Sequence, residues 1–379
     1  MNGAANPRLM LAAGLYGSAS TWMFNVMRAV AQRNLGRGNF HSLYSDAVTE
    51  AIFEPGLPAI VKCHAPSQAF AHFLRWGRCA VALSVRDPRD AAASLIRRFG
   101  MDATRAIDSV ARSASALISV AGDEHLILRY EDGFVDQPAT VASLAKLIGM
   151  PVSEREAQLI WRALTPAAVR RFVARAAARG AFGDNAAPDV WDAETHWHPN
   201  HVGDRQVGKY PQVLTPREAS RLMFLCRPFH QRFGYAEVTR PVHPGARVLF
   251  SSDNEPYCYL TSGFSEPEPW GVWSSDTKAE VTLPLSRGAI VRGIDIAWRL
   301  SPVFAGEAAR LTVSINGTPA AEIVGLEAPS CALQLDFPPV EGELTIGLTF
   351  NGLHRASALG YPDDERLLGA GLETVVLRS

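Results

Sequence analysis

The sequence predicts an α/β domain followed by an all-β domain. Between residues 8 and 235, short apolar runs alternate with helical stretches, which is typical of a parallel sheet covered by helices on both faces. From residue 243 onward, short β-branched runs are separated by turn residues, as in antiparallel sandwiches and jelly rolls. A chain of 379 residues has room for two domains. We therefore predict domains at 1–240 and 243–379.

The first domain is predicted to have three layers, with helices on both sides of the sheet. The strand-like runs are RLMLAAG, AIVKCH, CAVALSV and HLILRY. They show little alternation of apolar and polar residues, as expected for strands buried on both faces. Helical patterns lie between them, including TWMFNVMRAVAQR, PRDAAASLIRRFG and TVASLAKLIGM.

The second domain follows a segment rich in proline and glycine, GYAEVTRPVHPGARV, that resembles a linker. Its predicted strands are AEVTLPL, AIVRGIDIAWRL, ARLTVSI, CALQLDF, ELTIGLTF and ETVVLRS. Asn316-Gly317 is a hairpin signal because a two-residue hairpin turn needs residues that tolerate positive φ. These features predict an antiparallel β-sandwich or jelly roll.

Composition narrows the classes of function. The formal net charge is −1, which argues against a nucleic-acid partner but permits local basic clusters that bind a small anion. The cysteines Cys63, Cys79, Cys226, Cys258 and Cys331 are odd in number and form no CxxC pair, so we expect neither a disulfide framework nor a zinc site. A reducing, cytoplasmic location is expected. No signal peptide or transmembrane segment is recognised.

The loop after the first strand, in LMLAAGLYGSASTWMFNVMRAV, is built like an anion-binding loop. Gly17, Ser18, Ala19, Ser20 and Thr21 are all small, so backbone N–H groups can approach an anion closely. The following helix would direct its positive end to the same place, and the three hydroxyl groups add donors. A plain strand–helix turn with a serine N-cap is the alternative.

The stretch ALSVRDPRDAAASLIRRFG places Arg86 at the end of a strand, with Pro88 suited to the first helical turn. An arginine there can bind a phosphate with both arms of its guanidinium. Its alternative is a structural ion pair, for which Asp90 is the candidate partner. The other arginines of this helix, 89, 97 and 98, are expected on a solvated face.

The stretch PAIVKCHAPS places Lys62 and His64 at the C-terminal end of another strand, two residues apart and therefore on one side. Ligands of open α/β sheets bind at this edge. A cation beside a neutral imidazole suits group transfer, since the cation neutralises charge while the imidazole accepts a proton. A structural histidine is the alternative.

Together these segments resemble the sulfotransferase family that uses 3′-phosphoadenosine 5′-phosphosulfate (PAPS), a family with a P-loop-like α/β fold. LYGSASTW is similar to the family motif YPKSGTTW, LSVRDPRDAAASL to VVRNPKDVAVSY, and VKCH to its lysine-x-histidine step. LILRYED, LAKLIGMPV and the segment NHVGDRQVGKYPQVLT resemble later family elements. The similarity covers residues 8–235, and the order and spacing of the motifs make it specific.

The resemblance implies roles by position. His64 would be the general base on an acceptor hydroxyl, and Lys62 would support it. The donor PAPS would be bound without a metal by the loop Gly17, Ser18, Ala19, Ser20, Thr21 and Trp22, by Arg86 and Ser94 at its 3′-phosphate, by Tyr130 near the adenine, and by Arg205, Gly208 and Lys209 in a closing loop. Sulfuryl transfer, like phosphoryl transfer, depends on positioning and on charge stabilisation.

Two departures from the family pattern concern the loop. The loop lysine or arginine of the family falls on Gly17, so the leaving group lacks its usual cation; Lys62 or Arg205 are the candidate replacements. The loop glycine of the family falls on Ala19, which we expect to be a mild change.

Asp46 and Glu50 are alternative, acidic candidates for the general base.

Aromatic residues stand beside turn residues in the second domain: Trp270, Trp273 and Tyr361. Aromatic faces with nearby acids often receive sugars, so these residues are candidate glycan-binding positions. The alternative is that they fill the core of the sandwich. The stretch is also similar to β-domains appended to bacterial polysaccharide-building transferases, which favours a saccharide acceptor.

Three functions are consistent with these patterns. The favoured one is sulfuryl transfer from PAPS to a hydroxyl, on a saccharide or a lipid-linked saccharide. The second is a catalytically inactive protein that binds nucleotide and glycan. The third, a P-loop kinase, is disfavoured because GxxxxGK[ST] is absent. The sequence does not specify the acceptor or the oligomeric state.

Overall fold

The computed structural model describes residues 8–53, 56–76, 79–182, 190–236, 240–300, 310–324, 330–359 and 362–379. The chain divides into two compact units, residues 1–235 and 236–379. Each unit is described separately below.

The N-terminal unit is built on a five-stranded parallel sheet in the order β2-β3-β1-β4-β5. The strands are β1 (Leu9–Gly14), β2 (His41–Tyr44), β3 (Ala59–Cys63), β4 (Cys79–Val85) and β5 (Leu126–Arg129). The four predicted strands are confirmed, and β2 was not predicted. Its side chains are half-buried or exposed, so its sequence lacks the apolar run that marks the other strands.

Helices cover both faces of this sheet, which confirms the predicted three-layer α/β fold. They are α1 (Ser20–Leu35), α2 (Gln68–Trp76), α3 (Pro88–Phe99), α4 (Ala103–Val120), α5 (Pro138–Leu147), α6 (Glu154–Ala163), α7 (Pro166–Ala178), α8 (Pro216–Leu225) and α9 (Arg227–Phe233). Alternate residues of β1 enter different cores: Leu11 packs in a cluster with α3 and α4, and Met10 packs in one with α1 and α5. A strand buried on both faces must be apolar throughout.

Local signals position the helices that border the sheet edge. Asp87 caps α3 by accepting a hydrogen bond from the backbone N–H of Arg89, and Pro88 occupies the first turn as predicted. Asp102 caps α4 in the same way. Because β1 lies between β3 and β4, the segments that follow these three strands meet at the carboxyl edge of the sheet.

The C-terminal unit consists of antiparallel strands, in agreement with the predicted β-sandwich. Two five-stranded sheets form most of it, one with the order β13-β10-β17-β6, to which β8 adds on β17, and one with the order β12-β11-β14-β9-β7, and β15 and β16 form a separate two-stranded sheet. Its strands are β6 (Arg247–Leu249), β7 (Leu260–Ser262), β8 (Val272–Trp273), β9 (Lys278–Pro284), β10 (Val291–Leu300), β11 (Arg310–Ile315), β12 (Thr318–Val324), β13 (Ser330–Val340), β14 (Glu343–Phe350), β15 (His354–Arg355), β16 (Leu367–Leu368) and β17 (Ala370–Arg378).

The predicted hairpin is confirmed at Asn316-Gly317, which joins β11 to β12. Both residues have positive φ, 49° and 79°, as the tight turn requires. Alternate residues of β9 and β14 are buried, so one face of this sheet is apolar.

Candidate functional site

A cavity of about 650 Å³ lies in the N-terminal unit, at the carboxyl edge of the parallel sheet. Segments that follow β1, β3, β4 and β5 line it, together with the stretch from Trp191 to Lys209. All of the predicted catalytic and donor-binding residues line this cavity except Ser18 and Gly208. Residues that are up to about 190 positions apart in the sequence therefore meet around one space of a size suited to a small-molecule ligand.

The loop between β1 and α1 forms a concave array of backbone amides. Gly17 has φ 72° and Ala19 has φ 67°, so two residues with positive φ flank Ser18, whose φ is not positive. Such an alternation turns successive N–H groups toward one point and favours an anion there. Within the described part of the chain, the N–H groups of Ala19, Ser20 and Thr21 have no hydrogen-bond acceptor. The N-terminus of α1 adds its positive partial charge at this point.

Ser18 corrects one expectation about this loop. Its hydroxyl is fully buried and contacts the carbonyl oxygens of Leu15 and Ser84, at 2.6 and 2.9 Å, and the hydroxyl of Ser84 at 2.8 Å. Its backbone N–H donates to Leu15 as well. Ser18 therefore ties the loop to β4 and offers no donor to the cavity, whereas Ser20 and Thr21 line the cavity.

Gly17 lies against α3 and leaves little room for a side chain. A Cβ at this position would be 3.3 Å from the Cβ of Ser94 and 3.6 Å from the carbonyl oxygen of Ala91. The positive φ of Gly17 adds strain for any other residue. The loop backbone of this chain is therefore poorly suited to a lysine at this position.

Lys62 and His64 come from the end of β3 and are both buried, with exposed fractions of 7% and 8%. Burial lowers the pKa of Lys62 to about 8. Its Nζ lies 5.3 Å from the ring centre of Tyr44, a cation–π distance. Burial also lowers the pKa of His64 well below its usual range, and the charge of Lys62 lowers it further. His64 is therefore neutral at physiological pH.

The tautomer of His64 follows from one contact. Its Nδ1 lies 2.6 Å from the carbonyl oxygen of Gly14. Because a carbonyl oxygen only accepts hydrogen bonds, Nδ1 carries the ring proton and Nε2 keeps a free lone pair. A neutral imidazole with this tautomer, lining a cavity beside a cation, can accept a proton through Nε2.

Neighbouring side chains fix the position of His64. Its ring stacks on Tyr16, with ring centres 4.3 Å apart and planes inclined by 23°. Asp46 accepts the backbone N–H of His64 at 2.8 Å through one carboxylate oxygen and the hydroxyl of Tyr44 at 2.6 Å through the other. Asp46 therefore holds the end of β3. Neither Asp46 nor Glu50, the acidic alternatives to His64, is among the residues that line the cavity.

Arg86 follows β4 directly and is 2% exposed. Its guanidinium donates to the carbonyl oxygens of Gly17 at 3.0 Å and Gln206 at 2.8 Å, and it lies 4.1 Å from the ring centre of Tyr130. It is also 3.7 Å from Asp90, the ion-pair partner considered in the sequence. Arg86 thus connects the anion loop, the segment after β5 and the stretch around residue 206.

Residues 204–209, the predicted closing loop, are anchored by ion pairs. Arg205 pairs with Asp136, and its side chain is 35% exposed. Lys209 is 2% exposed, and its Nζ lies 2.8 Å from Asp204. The backbone N–H of Gly208 donates to Asp90, which brings this loop against α3. Arg205, one of the two candidate replacements for the loop cation, is thus already engaged by a carboxylate.

Trp22 and two arginines of α3 are held within the N-terminal unit and do not extend into solvent on its outer surface. Trp22 donates its Nε1–H to the carbonyl oxygen of Leu164 at 3.1 Å, which fixes its ring at the cavity wall. The expectation of a solvated arginine face is wrong for Arg89, which is 5% exposed and pairs with Asp87 at 2.6 Å. It is also wrong for Arg98, which lines the cavity.

The candidate glycan-binding tryptophans pack against their own domain. Trp273 is 8% exposed and clusters with Ala356 and Leu368, so its ring is part of a small core. Trp270 meets Trp273 at 4.8 Å between ring centres, and the guanidinium of Arg299 lies 4.5 Å from its ring. This arrangement agrees with the packing alternative for Trp273. The third candidate, residue 361, is outside the described residues.

Comparisons with known proteins concern the fold. No protein-family model matches the chain, and no curated protein sequence matches it. Retinol dehydratase in complex with androsterone and inactive cofactor PAP is similar over 63% of this chain and 84% of its own, with TM-score 0.42 and 14% identity. Mouse sulfotransferase SULT7A1 complexed with PAP is similar over 60% of this chain and 88% of its own, with TM-score 0.43 and 14% identity.

A carbohydrate-binding module is also similar to part of the chain. CsCBM6-3 from Clostridium stercorarium in complex with cellobiose matches 38% of this chain and 99% of its own, with TM-score 0.23 and 12% identity. The structural neighbours thus include a sulfotransferase and retinol dehydratase, both with PAP bound, and a carbohydrate-binding module.

Several residues that line the cavity were missed by sequence reasoning. They are Arg98, Trp191, His196, His198 and His201. Burial lowers the pKa of His196 to about 4 and that of His198 to about 3, and holds that of His201 well below its usual range. The density of histidines in ETHWHPNH was a usable signal.

Other expectations concern metals, thiols and membranes. Cys63, Cys79, Cys226 and Cys258 are free thiols. In the described part of the chain, no group of three or more histidine, cysteine or acidic side chains is arranged to hold a metal ion. Among the helices that the structure describes, none is both long and apolar enough to cross a membrane.

Proposed function

We propose that the N-terminal domain transfers a sulfuryl group from PAPS to a hydroxyl acceptor. The observation that carries this proposal is the convergence of three sequence motifs on one cavity. The amide array before α1, the Lys62–His64 pair after β3 and Arg86 after β4 all face it. An anion site, a neutral base and further cations are the groups that this reaction requires.

The donor would be held by free backbone amides of the loop and by side chains that would exchange their present partners for it. The N–H groups of Ala19, Ser20 and Thr21 would bind the 5′-phosphosulfate. Arg86 and Ser94 would bind the 3′-phosphate, and the ring of Tyr130 would lie near the adenine. Arg205 and Lys209 would close over the nucleotide. A built anion site of this kind needs no metal to neutralise the donor.

His64 would act as the general base. The acceptor hydroxyl gives its proton to Nε2 of His64 while its oxygen forms a bond to the sulfur. The bond between sulfur and the 5′-phosphate oxygen breaks, and its electron pair leaves with adenosine 3′,5′-bisphosphate (PAP). Lys62, protonated below a pH of about 8, would stabilise the negative charge that grows on the transferred and leaving oxygens.

The acceptor class and the cellular setting are parts of the same proposal. A saccharide or glycolipid hydroxyl, in polysaccharide biosynthesis in a bacterial cytoplasm, is the favoured acceptor. The β-sandwich would bind a glycan, with the partly exposed Trp270 as a candidate contact. Binding of the isolated acceptor glycan by full-length protein, lost on Trp270→Ala, would test that role.

The first experiment measures binding and turnover separately. Isothermal titration with PAP tests the donor site, and release of PAP from PAPS in the presence of hydroxyl acceptors tests transfer. Wild-type protein that binds neither PAP nor PAPS would contradict the proposal. Arg86→Gln should weaken PAP binding at least about tenfold, since a charge-assisted contact to a phosphate is lost.

A catalytically inactive nucleotide-binding protein is the second candidate. The observation that favours it is Gly17, which leaves the amide array without a side-chain cation. PAP binding without PAP release from PAPS, across neutral and acidic saccharides alike, would establish this alternative.

A further inference from the structure

A subsite next to the proposed donor site has no assigned ligand. We call it the Arg98 subsite; it consists of Arg98, Phe99, His198 and His201, which all line the cavity. The ring of His198 is 5.0 Å from that of Phe99 and 4.2 Å from that of His201, between centres. The guanidinium of Arg98 lies 5.1 Å from the ring centre of Phe99. These contacts make the four side chains one continuous wall.

One hydrogen bond and the packing of its aliphatic chain hold the guanidinium of Arg98 in place. Its Nε donates to the carbonyl oxygen of Asn200 at 2.8 Å. Its Cδ passes close to Gly203, where a Cβ would be 3.3 Å away, so the absence of a side chain there makes room for the arginine. No acceptor within the described residues contacts the two terminal nitrogens of Arg98. They form the edge that binds a carboxylate or phosphate with two parallel hydrogen bonds.

No carboxylate in the part of the chain that the structure describes forms an ion pair with Arg98, although the charge of Asp204 also acts on it. The acids that also line the cavity are engaged elsewhere: Asp204 by Lys209, and Asp102 as the N-cap of α4. Burial lowers the pKa of Arg98 to about 10, and the neighbouring charge of Arg86 adds to this. Arg98 is half-buried, so its guanidinium is accessible from the cavity that it lines.

The position of Arg98 separates it from the loop. Ser94 is the residue of α3 that lies against Gly17, and Arg98 is four residues later on the same helical face. One turn along α3 is a displacement of about 5.4 Å. Arg98 therefore lies next to the segment that carries His198 and His201, where its Nε donates to the carbonyl oxygen of Asn200.

We propose that the acceptor carries an anionic group, which the terminal nitrogens of Arg98 bind while the accepting hydroxyl faces His64. This inference rests on the proposed function and specifies its substrate class. The neutral imidazoles of His198 and His201 each supply hydrogen-bonding nitrogens suited to hydroxyl groups. The subsite therefore fits a polyhydroxylated compound that bears a carboxylate or a phosphate, that is, an acidic saccharide.

The test compares three sugars that differ only at C6: glucose, glucuronate and glucose 6-phosphate. Each is titrated into full-length protein saturated with PAP, in the wild type and in Arg98→Gln. The matched control is Arg97→Gln, which removes one positive charge from the adjacent, outward-facing position of α3. Arg98→Lys, which keeps the charge and loses the two-pronged contact, is the conservative variant.

We expect the wild type and Arg97→Gln to bind one of the anionic sugars at least about tenfold more tightly than glucose. Arg98→Gln should lose this preference, Arg98→Lys should retain part of it, and both should bind PAP within about threefold of the wild type. The two anionic sugars distinguish a carboxylate from a phosphate.

Three results with the sugars would overturn the inference. They are equal binding of neutral and anionic sugars, no anionic sugar bound up to about 10 mM, and a preference that survives in Arg98→Gln. A tenfold loss of PAP affinity in Arg98→Gln would overturn it as well, because Arg98 would then belong to the donor site. Wild-type protein that fails to bind PAP would instead contradict the proposed function, and the inference would fall with it.

Discussion

Nδ1 of His64 donates a hydrogen bond to the carbonyl oxygen of Gly14, at 2.6 Å. This contact joins the ends of β3 and β1 and leaves the ring proton on Nδ1, so that Nε2 keeps its lone pair. Gly14 also lies close to β4, because a Cβ there would be 2.1 Å from the hydroxyl oxygen of Ser84. Two motifs that are separate in the sequence thus meet through one hydrogen bond.

Replacing this base should stop transfer and spare donor binding. We expect His64→Ala to lower kcat by about 10²–10⁴-fold, the usual contribution of a general base, with PAP affinity within about twofold of the wild type. His72→Ala, on the exposed face of α2, is the control and should keep full turnover. Unchanged turnover in His64→Ala would remove the proposed base.

The pH dependence of kcat/KM should be set by Lys62 on the alkaline side. Burial lowers its pKa to about 8, so the free enzyme loses this positive charge as the pH rises through 8. The profile of kcat/KM should therefore fall above that pH. Lys62→Arg should move the alkaline limb upward, since a guanidinium stays protonated. A limb at the same pH in both proteins would show that another group titrates.

The acid limb should lie below the ordinary histidine range. Because the pKa of His64 is held well below 6.5, its neutral form persists as the pH falls through that value. We expect no decline in kcat/KM as the pH falls from 7.5 to 6.5, measured in matched ionic strength. A fall centred on pH 6.5 would indicate a base that is more exposed than His64.

Stability should also fall in acid. His64, His196, His198 and His201 have lowered pKa values in the folded protein, so below pH 6.5 the unfolded chain binds protons that the folded chain does not. Their contribution is complete above pH 6.5 and is lost as the pH falls, by about 1.4 kcal/mol per histidine per pH unit. Tm scans from pH 7.5 to 5.0 measure this loss. His201→Gln should flatten the slope, and the exposed His72→Gln should leave it unchanged.

The loop residue Ala19 should be a source of strain. It has φ 67°, which disfavours any residue with a Cβ by about 1–2 kcal/mol. The change from the family glycine is therefore less mild than the sequence indicated. We expect Ala19→Gly to raise the free energy of unfolding by about 1 kcal/mol in urea titrations. Ala174→Gly, at an exposed position in the middle of α7, should lower the free energy of unfolding by about 1 kcal/mol. Destabilisation by both would show that Ala19 is unstrained.

Ser18 and Ser20 should respond oppositely to truncation. Ser18→Ala breaks buried hydrogen bonds to β4 and should lower stability by about 1–3 kcal/mol while PAP affinity stays within about twofold. Ser20→Ala removes a hydroxyl that lines the cavity and should weaken PAP binding several-fold with little change in Tm. A loss of PAP affinity confined to Ser18→Ala would reverse these roles.

Much of the fold could be predicted because it is local. Apolar runs without alternation marked β1, β3, β4 and β5, and the turn at Asn316-Gly317 marked a hairpin. β2 was not predicted because its side chains are half-buried or exposed, and its sequence therefore has no apolar run. Trp273 was ambiguous because the same aromatic residue suits a sugar platform or a core, and its burial is decided by neighbours about 80–95 positions away.

The sequence by itself determined the two fold classes, the segments that reach the sheet edge and the residue types placed there, because each depends on short-range periodicity and turn chemistry. Only the tertiary structure decided which groups face the cavity and in what state. The hydroxyl of Ser18 is hydrogen-bonded to Ser84, and Arg205 is paired with Asp136. The terminal nitrogens of Arg98 have no acceptor among the residues that the structure describes. Availability, tautomer and charge depend on partners distant in the chain and on desolvation, which a linear pattern does not encode.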